Sequence, residues 1–101
     1  MYLTQILLPL YDGRGRRITR AAFAEVMETL TQRFGGVTAY TQAPAAGAWR
    51  VGGKTDRDHI IMFEVMSRKP DARWWRTYKE ALESRFGQEW IVVRSMRCTL
   101  R

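Results

Sequence analysis

The chain has 101 residues, 46% of them hydrophobic and 27% charged, with a formal net charge of +7. That length fits one domain with a core of its own, and the apolar content excludes an intrinsically disordered chain. A single cysteine, Cys98, excludes an internal disulfide and a cysteine-based zinc site.

The N-terminus, MYLTQILLPLYDG, has an apolar run too short to span a bilayer and no leading Lys or Arg. A reduced cytoplasmic protein is expected, with no membrane partner. LTQILLPL reads as a first strand. The loop DGRGRRITR follows and gathers Arg14, Arg16, Arg17 and Arg20. Arginines ahead of a helix N-terminus can hold phosphate, so these four are the anion-binding candidates. Ile18 stands where the dinucleotide fingerprint needs its third glycine, and a solvated turn is the competing reading.

Phe23, Val26, Leu30 and Phe34 then form the apolar stripe of a first helix. Thr19 stands at its N-cap and Gly35 at its end. VTAYTQ reads as a second strand, and its Tyr40 is a binding candidate. Pro44 interrupts it, residues 45–47 suit a bulge, and pairing can resume through Trp49, Arg50 and Val51. Gly52-Gly53 suits a two-residue hairpin turn, so a long bent arm is expected. Trp49 on that arm either caps the core or reaches a second subunit.

HIIMFEVM is the third strand. A second helix starts after Asp71, another expected N-cap, with its stripe at Trp75, Tyr78, Leu82 and Phe86 and its end at Gly87. Trp74 lies off that stripe and either packs under arginines or anchors a partner. WIVVRSM closes the chain as a fourth strand.

The triplet Arg-Phe-Gly occurs at the end of both helices. Superposing the two copies lays Phe23 on Trp75, Val26 on Tyr78 and Leu30 on Leu82. Each half is therefore one βαβ unit, about 1–43 and 54–101, joined by the arm. The βαββαβ order resembles the ferredoxin-like fold over essentially the whole chain, and more loosely small uncharacterised bacterial proteins and dimeric α+β barrel proteins. That resemblance implies an α+β domain with a four-stranded antiparallel sheet, order 4-1-3-2, and two helices on one face. It rests on topology and carries no catalytic signature.

Alternation assigns Ile6, Leu8, Ile61, Phe63, Val65, Ile91 and Val93 to the side under the helices. The other side would carry Leu3, Leu7, Ile60, Met62, Trp90, Val92 and Met96. An uncovered apolar patch of that size marks an interface or a ligand groove. A homodimer packed sheet to sheet is expected, with a small hydrophobic or anionic ligand as a further partner. Gln5, Glu64 and Arg94 interrupt the patch and can lie in one row across the sheet. They read as a charge pair that fixes dimer register, or as an acid–base group with an anion anchor.

His59, the only histidine, is the natural general base. In an enzyme resembling the dimeric α+β barrels, His59 and Glu64 would move protons on a small hydrophobic or aromatic metabolite. Gln5, Arg94, Trp90, Trp49 and Tyr40 would bind it. No cofactor and no metal is expected. RNA-recognition modules share the βαββαβ order, but their strand 3 carries a Gly-aromatic pattern that HIIMFEVMS lacks, so nucleic acid is not an expected partner.

Overall fold

Strands β1 (Tyr2–Pro9), β2 (Thr38–Val51), β3 (Lys54–Ser67) and β4 (Val92–Arg97) make one antiparallel sheet in the order β2-β3-β1-β4. Helices α1 (Arg20–Phe34) and α2 (Ala72–Arg85) cross between them. The structure, a computed structural model, describes the backbone of residues 1–51 and 54–101 and the side chains of 1–40 and 60–101. This is the ferredoxin-like βαββαβ arrangement, with the expected strand order. The Gly52-Gly53 turn and the side chains of Trp49 and His59 lie outside the described residues.

Alternation decides which face is covered. In β1, Thr4, Ile6 and Leu8 are buried while Leu3, Gln5 and Leu7 are half-buried. Ile61, Phe63 and Val65 of β3 join the same core as Val26 and Leu30 of α1 and Trp75, Tyr78 and Leu82 of α2. Both helices therefore lie on one face of the sheet, and the other face carries no element among the described residues.

Thr19 caps α1 as its sequence implies: its Oγ1 accepts the Ala22 N–H at 3.2 Å. Gly35 ends the helix in the left-handed region, φ 80°, with its N–H on the Thr31 carbonyl. The start of α2 departs from expectation. Asp71 adopts φ 48°, ψ 41°, and its side chain makes no cap bond. A capping side chain needs an extended backbone to reach the first-turn amides. The Asp71 carboxylate faces Arg33 instead, Oδ2 to Nη2 3.8 Å.

Cross-helix contacts explain the repeated Arg-Phe-Gly. Phe34 stacks on Trp75 with centroids 5.2 Å apart and planes 7° from parallel, while Phe86 packs on Phe23 at 5.6 Å. Superposing the two halves exchanges these two contacts. Arg33, at the end of α1, reaches Asp71 and lies 5.3 Å from the Trp74 ring; Arg85, at the end of α2, reaches Glu25 at 3.1 Å. Each triplet thus closes its helix onto the first turns of the other, and the two helices run antiparallel. Trp74 is half-buried under Arg33 and stacks on Tyr78.

Two boundaries differ from the sequence reading. The irregularity in β2 falls at residues 41–44, and pairing resumes at Ala45↔Ile60 rather than at Trp49. The ladder then continues to Val51↔Lys54. The strand near the C-terminus starts at Val92 because the Ile91 N–H donates to Glu83 Oε2 at 2.9 Å instead of to a neighbouring strand.

That Glu83 carboxylate also receives Lys79 Nζ at 2.7 Å. The Lys79 bond first, and the Ile91 amide second, hold its pKa below the ordinary 4.5. A depressed folded pKa adds stability above pH 4.5 that is lost as pH falls through the folded value. Glu83→Gln is expected to flatten the acid limb of a stability–pH curve measured by urea unfolding. An unchanged acid limb would remove Glu83 from the account.

The β1–α1 loop and the α2–β4 loop touch at their glycines. The Gly13 N–H donates to the Gly87 carbonyl at 3.0 Å, and a Cβ on Gly13 would lie 2.6 Å from that oxygen. Backbone on both sides leaves no side chain to yield, so Gly13→Ala is expected to cost about 1–3 kcal/mol. Urea unfolding checks this; a loss under about 0.5 kcal/mol, ordinary for a surface site, contradicts it.

Candidate ligand-binding face

Register arranges the helix-free face into rows. Thr38, Glu64, Gln5 and Arg94 are successive partners across β2, β3, β1 and β4. On one side of them lie Tyr40, Met62, Leu7 and Val92, and on the other Met66, Leu3 and Met96. Two apolar rows therefore flank one polar row. Val92 and Met96 are 37% and 44% exposed, and Tyr40 45%.

The polar row is a continuous hydrogen-bond chain. Arg94 Nε donates to Gln5 Oε1 at 2.7 Å, and Gln5 Nε2 donates to Glu64 Oε1 at 2.7 Å. Tyr40 OH donates to Glu64 Oε2 at 3.0 Å. The amide of Gln5 has one orientation that serves both neighbours, because only its oxygen can accept from Arg94. The bond to Glu64, and then the charge of that carboxylate, raise the Tyr40 phenol above its ordinary 10.0, so it stays protonated as a donor at neutral pH. Glu64 and Arg94 form no direct ion pair among the described residues. Sequence reasoning brings these three together correctly, with Gln5 as the link.

Beside Glu64 the face opens into a groove of about 370 Å³. Leu3 and Met66 form its sheet side, and Phe34, Val37 and Thr38 its wall from the α1–β2 turn. Gly35 and Gly36 complete that turn, and a Cβ on either would meet no atom within 4 Å. Sequence reasoning missed this turn as a lining segment. The available signal was the doubled glycine after Phe34, which leaves the turn without side chains beside a strand edge.

The remaining candidates sit elsewhere. Trp90 is not on this face: it precedes β4, is 71% exposed, and lies under Lys79 of α2, whose Nζ is 3.6 Å from the ring centroid. The Ile91–Glu83 bond that ends strand pairing also turns Trp90 toward the helix side. His59 and Trp49 belong to the arm, where their strand partners are Ala46 and Asp56.

Arg14, Arg16, Arg17 and Arg20 are exposed in and after the β1–α1 loop. Asp12 Oδ1 accepts the Arg14 and Arg16 amides at 2.8 and 2.9 Å, so a carboxylate already occupies the donors a phosphate would use. The Arg16 amide is the main cause that lowers the Asp12 pKa. Arg17 donates to the Leu10 carbonyl at 3.4 Å and lies over Tyr11. Within the loop itself, the Arg14 and Arg16 amides are therefore taken, and the arginine side chains are what remains to meet an anion. No helix among the described residues is long and apolar enough to cross a membrane.

Fold and face together define an α+β protein with a polar network set in an uncovered apolar sheet face. No protein-family model matches the sequence, and no curated protein matches it either. Solved structures do resemble it. A phage SAM lyase in complex with S-methyl-5'-thioadenosine superposes with a TM-score of 0.62 at 14% identity, covering 94% of this chain and 79% of that one. The phage SAM lyase in its apo state gives 0.59 at 14% identity, over 94% and 78%. At that identity the likeness is one of fold.

Proposed function

We propose that the protein binds a small nucleoside thioether or sulfonium, of the class of S-methyl-5'-thioadenosine and S-adenosylmethionine, in the groove beside Glu64. One observation carries this reading: a carboxylate held by two neutral donors stands on the wall of a groove of about 370 Å³ that Leu3, Phe34, Val37 and Met66 also line. That volume falls within the range of small-molecule sites. After bonding Gln5 and Tyr40, the two oxygens of Glu64 keep lone pairs for a ribose hydroxyl or for a sulfonium charge. Leu3, Phe34, Val37 and Met66 suit the base and the thioether carbons. The fold likeness to a SAM lyase supports the same ligand class. The protein works as a homodimer closed through the same sheet face, and we place it in the cytoplasm, where Cys98 stays a free thiol.

Calorimetric titration with S-methyl-5'-thioadenosine and with S-adenosylmethionine tests the reading. Saturable binding below about 1 mM, or a ΔG° of roughly −4 kcal/mol or better, is expected for at least one of them. No heat from either at millimolar concentration would sink it. Chromatography of the S-adenosylmethionine mixture then asks whether S-methyl-5'-thioadenosine is released. Its release above a protein-free control, with the four-carbon fragment leaving as its lactone and no water taken up, would make the protein a lyase as well as a binder.

A further inference from the structure

The helix-free face has a charge pattern that selects one way of packing against itself. Its central row reads Glu64, Gln5, Arg94 across β3, β1 and β4, with the negative group on one side of β1 and the positive group on the other. Two sheets packed face to face lie about 10 Å apart, and a closed pair needs a two-fold axis. An axis across the strands, through Gln5, would set Arg94 against Arg94 and Glu64 against Glu64. An axis parallel to the strands and above β1 reverses the strand order instead. It sets Glu64 against the other copy's Arg94, twice.

The apolar rows obey the same operation. Met62 and Val92 exchange places, as do Met66 and Met96, while Leu3 and Leu7 each face themselves. Apart from Gln5, which faces itself with an amide that can donate and accept, each of these positions then meets an apolar or oppositely charged counterpart, and the usual angle of about 30° between packed sheets leaves these neighbours in reach. Among the described residues of one copy, Glu64 has only neutral donors, and Arg94 spends only its Nε on Gln5. Both charges thus have bonding capacity left for a partner. The groove, walled by Thr38 and the α1–β2 turn, opens at the β2 side and shares Leu3, Glu64 and Met66 with the strip, so the interface borders it.

We infer that two copies of this chain pair through the β3-β1-β4 face about an axis parallel to β1, with Arg94 of each meeting Glu64 of the other. This rests on the homodimer reading above, and since Glu64 also borders the groove, association is measured without ligand. Mutual like charge across an interface weakens association strongly, and a desolvated partner left unpaired does so too. Arg94→Glu is therefore expected to weaken self-association at least about 30-fold, and Arg94→Gln about tenfold. The double variant Arg94→Glu/Glu64→Arg restores it to within about tenfold of the wild type.

Light scattering over a dilution series reads the dimer, at twice 11.8 kDa, and circular dichroism checks that each variant is folded. A folded Arg94→Glu protein that dimerises like the wild type overturns this packing, because the axis across the strands is indifferent to that reversal. A folded double variant that stays monomeric overturns it too, as the pairing is then not between these two residues. If Arg94→Glu does not fold, Arg94→Gln decides, and undiminished dimerisation there overturns the packing. A wild type that is monomeric at tens of micromolar overturns both the packing and the homodimer reading.

Discussion

Phe86→Ala is expected to cost about 3–5 kcal/mol of unfolding free energy, the range for emptying a fully buried aromatic site. Phe86 has no exposed surface and packs on Phe23, at the place where α2 closes onto the start of α1. Its counterpart, Phe34, fills the corresponding place against Trp75 but is only half-buried and borders the groove. Neighbours beside solvent can relax, so Phe34→Ala is expected to cost less, about 2 kcal/mol. Against a total of about 5–15 kcal/mol, the first loss brings the protein near its unfolding limit at 25 °C. Urea unfolding of both variants measures the difference. Equal losses would mean that the two halves carry equal shares of the core, contrary to their burial.

The same pair of residues marks what the sequence discloses. Two stripes of matching spacing and two helix-ending glycines fix both helices, and period-two alternation separates the two faces of β1 and β3. The polar row was legible because strand order follows from the βαββαβ topology, and order alone puts Gln5 between Glu64 and Arg94. Contacts that cross between elements were not legible. Trp90 leaves the sheet face because Glu83, in the preceding helix, takes the Ile91 amide. Asp71 fails as a cap because its backbone is left-handed, a state that its residue type tolerates but does not announce. Asp12 fills the loop's amides, a local bond that the arginines around it obscured. The groove escaped notice because its wall is a turn whose glycines display no chemistry of their own.

Glu64→Gln carries the largest expected effect on ligand binding. The substitution keeps the side-chain length and leaves an amide that can still bond Gln5 or Tyr40, so each chain should keep its fold, as circular dichroism checks. What it removes is the charge. A hydrogen bond to a charged group is worth about 1.5–3 kcal/mol, so affinity for S-methyl-5'-thioadenosine should fall roughly 10- to 150-fold. S-adenosylmethionine should lose at least as much, since in the proposed site its sulfonium charge would meet the carboxylate directly. Tyr40→Phe removes a single neutral donor to Oε2 and should cost less, about 0.5–1.5 kcal/mol. Because the Tyr40 phenol titrates above 10.0, wild-type affinity should not vary with its ionisation between about pH 6 and 9. The measurement is calorimetry on all three proteins at one pH, with the wild type repeated across that range. If Glu64→Gln binds as tightly as the wild type, the carboxylate is not a ligand contact and the site lies elsewhere on the molecule. If both variants weaken binding by the same factor, the phenol contacts the ligand itself and is more than a support for Glu64.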